Sequence, residues 1–246
     1  MKNYKFSIIT ITLNSEKFLE RCLNSVKNLS YKNFEHIIID GGSTDSTKKI
    51  LDDNKSNFSK MIFEKDDGIW DAMNKGVKNS KGDIICFLNS DDFFYPNCLD
   101  VVNAYFNNYQ IDFLFGSVKK YKIMHGYRPW MINWSFGFYS SHSVGFFINR
   151  NKHLEVGYYN DQFLSADLDL FYRMIVKHRF KGMSTKKNEI MGEFSSGGFS
   201  SKVKYIDHLK DLNNIRLNNN QSKFFVYALF LIKIIKKPIK FLKSII

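Results

Sequence analysis

Four short clusters of oxygen-bearing side chains punctuate the first hundred residues, each directly after an apolar run. Thr12-Leu13-Asn14 ends the first run, and Asp40-Gly41-Gly42-Ser43-Thr44-Asp45 the second. Glu64, Asp66 and Asp67 follow the third, and Asn89-Ser90-Asp91-Asp92 the fourth. Carboxylates held close repel one another and desolvate poorly unless positive charge sits among them. A divalent cation held by oxygens supplies that charge, and its natural companion is a substrate diphosphate. An all-oxygen donor set points to magnesium or manganese. Rival signatures are missing: no G-x-G-x-x-G follows a strand, and no G-x-x-x-x-G-K-[ST], H-E-x-x-H or paired-cysteine motif occurs. Taken singly, Asp40-Gly41-Gly42 also reads as a turn, Asp45 reads better as a helix N-cap, and Asn89-Ser90-Asp91-Asp92 reads as turn chemistry before a helix near Pro96. Four polar endings in succession are much harder to assign to turns alone.

The elements that must position these clusters alternate between two periods. Phe6 to Leu13, Phe34 to Ile39, Met61 to Phe63 and Ile84 to Leu88 are β-rich apolar runs. Between them lie helical spacings: Phe18, Leu19, Cys22, Leu23, Val26 and Leu29, with Asn14 or Ser15 as cap; a stretch from Ser43 towards Leu51; and Ile69 to Val77. Strand, helix, strand, helix in this rhythm predicts an α/β fold with a parallel sheet covered on both faces. Ligands bind beyond the carboxyl ends of such strands, where the four clusters fall. After about residue 110 the pattern loosens. Ile111 to Phe115 and Ser143 to Ile148 read as strands and Asp167 to Lys177 as a helix, with Trp130, Trp134, Phe136, Phe138 and Tyr139 crowded between them.

The net charge of +12 would ordinarily raise nucleic acid as a partner. Its distribution argues for no nucleic acid: six lysines and no acid lie between Lys223 and Lys243, so half of the excess sits in the tail. Cys22, Cys86 and Cys98 form no motif and read as buried thiols in a reducing compartment. No cleavable leader is indicated, so a cytoplasmic location is expected.

The runs SIITITLN, IIIDGGSTDST, EKDDGIWDAMNKG and KGDIICFLNSDDFF together resemble glycosyltransferase family 2 over roughly residues 5–100. Ser165-Ala166-Asp167-Leu168-Asp169-Leu170 and Gly197-Gly198-Phe199-Ser200 extend the resemblance. It implies a GT-A fold, Rossmann-like, and transfer of a sugar from a nucleotide-sugar donor. Thr12 and Asn14 would line the nucleotide pocket. Asp40 would accept from the imide of a uracil-type base, and Asp66 would face base or ribose. Asp71 and Asn74 would support the nucleotide side of the cleft. Lys75 would reach a phosphate or, equally, be a solvated helix lysine. Asn89-Ser90-Asp91-Asp92 takes the place of the D-x-D motif, with Asp91 on Mn2+ or Mg2+ and Asp92 orienting the ribose or metal shell. Asp167 matches the base that deprotonates the acceptor, although a helix N-terminus also favours an acid there. Asp169 is the weaker candidate, because it cannot share a helix face with Asp167. His142 stands where relatives place a histidine near acceptor or diphosphate. Two departures stand out: Asn89 replaces the first acid of D-x-D, and Ala166 replaces the acid before the base. The Gln-x-x-Arg-Trp motif of processive relatives is absent, so one sugar per encounter is expected.

Residues 1–220 then form the catalytic domain and 221–246 a basic amphipathic tail. Phe224 to Ile232 is too short to span a bilayer. Lys233, Lys236, Lys237, Lys240 and Lys243 give it one basic face, which suits peripheral contact with an anionic membrane through 224–246; the alternative is a helix packed into the core. Pro238 should kink or restart the helix. The expected function is an inverting transferase that builds cell-surface polysaccharide on a glycan or lipid-linked acceptor at the inner face of the plasma membrane. A nucleotidyltransferase on a similar sheet and a non-catalytic basic module are the rivals.

Overall fold

The structure is a computed structural model and describes residues 1–134, 137–139, 142–195 and 203–245. Phe136 and the Gly197 to Ser200 run singled out above lie outside the described residues. The first half of the chain runs β1 (Phe6–Thr12), α1 (Leu19–Lys27), β2 (Phe34–Asp40), α2 (Thr47–Asp53), β3 (Lys60–Phe63), α3 (Ile69–Asn79) and β4 (Ile84–Phe87). A short β5 (Phe93–Phe94) and α4 (Cys98–Asn108) follow. The second half contains β6 (Phe113–Phe115), β7 (Ser117–Lys119), β8 (Ile123–Met124), β9 (Phe146–Asn149), α5 (Arg150–Val156) and α6 (Ala166–Tyr172). It closes with β10 (Gly182–Ser184), β11 (Ile190–Glu193), α7 (Tyr205–Asn218), α8 (Lys223–Lys236) and α9 (Pro238–Ile245).

β1 is buried along its whole length, so apolar side chains cover both of its faces. It takes β2 in parallel on one edge and β4 in parallel on the other. The main sheet has the order β10-β6-β9-β4-β1-β2-β3. Within it β9 alone runs antiparallel to its neighbours, so the sheet is mostly parallel, as expected. A smaller sheet, β5-β11-β7-β8, stands beside it. Ile9, Ile37 and Ile85 pack towards α3 and α6 on one face; Phe6, Ile8 and Cys86 pack towards α1 and α4 on the other. All three cysteines are buried and free. Gly76 lets α3 lie close on β1: a Cβ there would come within 2.2 Å of Ile9 Cγ2.

Register decides where the strand ends fall. Thr12 pairs with Asp40, and Asp40 with Phe63, so three of the polar clusters begin side by side. Past β4 the chain keeps pace with β1, with Ser90 N donating to Ile11 O at 3.3 Å.

Several local expectations change. Neither Asn14 nor Ser15 caps α1 with its side chain; the helix starts at Leu19, and the Ser15 carbonyl accepts the Phe18 and Leu19 N–H groups. The stretch expected as a strand from Ser143 opens with a 3₁₀ turn, and β9 begins at Phe146. The helix expected to run to Lys177 ends at Tyr172 and widens into a π turn over Arg173–Lys177. There Arg173 turns its guanidinium back to Asp169 and to the Val156 and Tyr158 carbonyls. In the tail, α8 ends at Lys236 and α9 restarts at Pro238, and both pack on α7. Among the described side chains of α8, Val226 alone is buried, which disfavours a core helix. Phe224 (86% exposed), Leu231 (58%) and Ile235 (75%) face outward. Among the described residues, no helix is long and apolar enough to cross a membrane.

Candidate active site

Side chains stitch the ends of β1 and β2 together. Asn14 adopts a left-handed backbone (φ 48°) and its Oδ1 accepts the Thr44 N–H at 2.9 Å. Its own N–H donates to Ser43 Oγ at 2.9 Å. Asp40 is fully buried, and its carboxylate serves its own loop. Oδ1 accepts from the N–H groups of Gly42 at 2.9 Å and Ser43 at 2.7 Å, and Oδ2 from Ser43 Oγ at 2.7 Å. The carboxylate expected to meet a base is thus closed off from solvent and shapes the loop instead. Asp66 stays partly open beside it. Its Oδ2 lies 2.3 Å from where a Cβ on Gly41 would stand, so residue 41 has no room for a side chain. Thr12 Oγ1, in register with Asp40, is buried without a hydrogen-bond partner among the described residues.

The helix that follows β3 distributes its polar residues differently from expectation. Lys75 is held by Asp71 at 3.0 Å, Glu64 at 3.1 Å and the Lys65 carbonyl at 3.1 Å. Burial pulls Lys75 down, but Asp71 and Glu64 outweigh it and raise it overall. Burial likewise pushes Asp71 up, and Lys75 and the Asp67 N–H bring it below the usual carboxylate range. Lys75 is thus engaged by ion pairs within α3 and with the end of β3. Asn74 bonds to a distant segment: its amide donates to the Tyr159 carbonyl and accepts the Tyr159 N–H, both at 2.9 Å.

The Asn89 to Asp92 cluster carries the unsatisfied oxygens. Asn89 Nδ2 donates to Ser143 Oγ at 3.0 Å, while Oδ1 is buried without a hydrogen-bond partner among the described residues. Asp92 Oδ1 accepts the Ser195 N–H at 3.1 Å. Its Oδ2 is buried and accepts no hydrogen bond among the described residues, with His142 Nδ1 3.5 Å away. Asp91 uses its backbone carbonyl to accept from Arg21 Nη2 at 2.9 Å and Ser195 Oγ at 2.7 Å. Burial, then the charge of Asp91, push Asp92 up to about 8. His142 stacks on Phe194, with ring centroids 4.2 Å apart. Burial, then the charge of Lys120, hold it down to about 4, so it is neutral at neutral pH and offers the acids no charge. Among the described residues no three His, Cys, Asp or Glu side chains converge as a complete metal cage. Two carboxylates and an amide oxygen fit magnesium or manganese when phosphate oxygens and water complete the shell.

Asp167 is the second residue of α6 and accepts from Tyr139 Oη at 3.4 Å. Burial pushes it up to about 6, against the Leu168 N–H and Tyr139, with Asp211 adding to the rise. A carboxylate poised there suits a general base near neutral pH. Asp169 faces away: it is buried against Arg173 Nε at 2.9 Å and Asn219 Nδ2 at 2.8 Å. Tyr159, which feels the charge of Asp167, stacks on Trp70 of α3 with ring centroids 5.3 Å apart.

The model of glycosyl transferase family 2 matches residues 7–180, a span holding every polar cluster described above and Asp167. The chain belongs to glycosyl transferase family 2. A relative named PGL/p-HBAD biosynthesis glycosyltransferase, from Mycobacterium tuberculosis (strain H37Ra), is 36% identical over 118 residues, covering 46% of each chain. The chain thus spans about half the length of that curated relative. Among solved structures, S. aureus TarS 1–349 in complex with UDP-GlcNAc superposes with a TM-score of 0.68 at 18% identity, covering 89% of this chain and 67% of that one. The mannosyltransferase PcManGT from Pyrobaculum calidifontis, in complex with GDP-Man and Mn2+, gives 0.66 at 13% identity, covering 92% and 67%. At those identities the likeness is one of fold, the GT-A fold.

Within this family 2 frame, three polar residues escaped the sequence reading. Arg21 bonds Asp91 O and Ser195 Oγ and lies over the Phe93 ring. Lys120 sits over the Phe194 ring at 4.9 Å, so cations flank the acids. Ser195 ties Asp91 and Asp92 to the end of β11. Its signal was its place just before the Gly197-Gly198 run; Arg21 and Lys120 carried none.

Proposed function

We propose that this chain is an inverting glycosyltransferase that moves a sugar from a nucleoside diphosphate donor, of uridine type, to a hydroxyl of a glycan or lipid-linked acceptor in cell-surface polysaccharide synthesis. Two observations support the reading: the oxygens of Asn89 and Asp92, beside Asp91, that have no hydrogen-bond partner among the described residues, and Asp167 raised to about 6. Asn89, Asp91 and Asp92 would hold Mn2+ or Mg2+, which when bound supplies charge to stabilise the departing diphosphate. Thr12, Asn14 and Asp66 line the nucleotide side, with Asp40 shaping the loop. Asp167 takes the proton of the acceptor hydroxyl as that oxygen forms its bond to the anomeric carbon. The bond from that carbon to the diphosphate oxygen breaks with its electron pair, and the anomeric configuration inverts. Arg21 and Lys120 face the side on which the diphosphate charge appears.

The outward Phe224, Tyr227, Leu231 and Ile235 of α8, with Lys236, Lys237, Lys240 and Lys243 beside them, support contact with an anionic membrane that carries the acceptor. Loss of sedimentation with phosphatidylglycerol vesicles in Leu231→Glu checks that contact; unchanged sedimentation refutes it.

The chemistry is tested by screening nucleotide sugars for nucleoside diphosphate release with Mn2+, with EDTA, and in Asp91→Ala. Release that requires the metal and Asp91 is expected. Undiminished turnover in EDTA or in Asp91→Ala would overturn the reading.

A further inference from the structure

We infer that Asp211 is a positioning residue for Asp167, so that α7, beyond the stretch matched by the family model, completes the catalytic side of the cleft. This rests on Asp167 being the base. Asp211 lies on α7 and is 6% exposed. Its Oδ1 accepts the Leu164 N–H at 3.0 Å and its Oδ2 the Ser165 N–H at 2.8 Å. Ser165 is the residue from which α6 starts: its carbonyl accepts from Leu168 N at 2.9 Å and Asp169 N at 3.4 Å. A serine at that position ordinarily caps the helix with its own hydroxyl. Here it does not, and the hydroxyl faces His208 Nδ1 at 3.4 Å instead. The start of the helix that carries the base is therefore fixed from outside, by two charge-assisted hydrogen bonds from α7. One turn further along, Asn219 grips Asp169 at the following residues of α6.

Electrostatics give the contact a second role. Tyr139, from the segment before β9, and Tyr159, from the segment before α6, both face Asp167, and burial raises both phenols well above their usual range. They stay protonated at neutral pH. His208, on α7 beside Asp211, is held below its ordinary value by burial, then Lys233. Burial is the main cause of the raised base, and among these groups Asp211 adds negative charge to the rise.

The test uses the full chain with Mn2+ and whichever nucleotide sugar releases its diphosphate fastest in the screen above. Asp211→Ala should lower kcat roughly tenfold to a hundredfold, as misplacement of a catalytic group does, with donor KM within about twofold. Asp211→Asn keeps an acceptor oxygen and removes the charge. It should recover part of that rate, and its acid limb of kcat should move to lower pH. Wild-type kcat in Asp211→Ala overturns the proposal. Should that variant fail to fold, the acid limb of Asp211→Asn decides, and an unmoved limb overturns it. Asp167→Asn measured alongside separates the two ideas. Retained turnover there sinks the base itself; abolished turnover with unaltered Asp211 variants sinks the positioning role alone.

Discussion

The edge at the ends of β1 and β2, proposed to take the nucleotide, and the edge at α6, proposed to take the acceptor, are assembled in different ways. At the first, side chains bond to their own loop or to the next strand end, whereas the end of β4 beside it is tied over long distances, Asn89 to Ser143 and Asp92 to Ser195. Asp40 reaches Ser43, three residues away, and Asn14 reaches Thr44, 30 residues away. At the acceptor edge the ties are long. Asn74 holds Tyr159 across 85 residues, and Asp211 holds Ser165 across 46. The first edge is a property of the parallel sheet and its turns, and it comes with the fold. The second is built by helices brought in from elsewhere in the chain, so it can change without disturbing the first.

That contrast can be broken most sharply at Asp167. Asp167→Asn should lower sugar transfer by roughly 10²–10⁴-fold while nucleotide affinity, read by calorimetry, stays put. Weakened nucleotide binding would mean the two edges are not separable. The same variant has a stability signature. Asp167 is raised in the folded state, so its contribution to stability is complete below the ordinary carboxylate range and is lost as pH rises through about 6. Removing the charge should therefore stabilise the protein at pH 8 by up to roughly 3 kcal/mol, and not at pH 4. Thermal melts that shift equally at both values count against a buried, raised carboxylate.

A smaller effect is expected at Asn74. Asn74→Ala removes both bonds to Tyr159 and should cut kcat about tenfold, near 1.4 kcal/mol in barrier, leaving donor KM unchanged. A rise in donor KM instead would return Asn74 to the nucleotide edge. The smallest effect belongs to Lys75. Its ion pairs are partly exposed, so Lys75→Met should cost no more than about 1 kcal/mol in a denaturant titration. Donor KM should not move. A large increase in KM would instead support the phosphate contact.

What could be read from the sequence follows the same division. β1 to β4, the helices between them and the four polar endings were legible because period and turn chemistry are local signals. The helix start at Asp167 was legible through its local motif. The partner of Asn74 was not, because its helix position says nothing about Tyr159, which arrives from a distant segment. Arg21, Lys120 and Asp211 carry no motif; their roles exist only once β4, β7 and α7 have been brought to the cleft. Asp40 shows the converse. Its position was read correctly, but its oxygens were already committed to a loop whose bonding a residue pattern does not specify.

Gly76 has a consequence for how the whole cleft can evolve or be redesigned. Helix α3 carries Asp71 on the nucleotide side and Asn74 on the acceptor side, and its distance from β1 is set by the missing side chain facing Ile9. That spacing works like the jaw setting of a calliper. A methyl group at residue 76 would lift both jaws together, moving Asp71 and Asn74 without changing either residue.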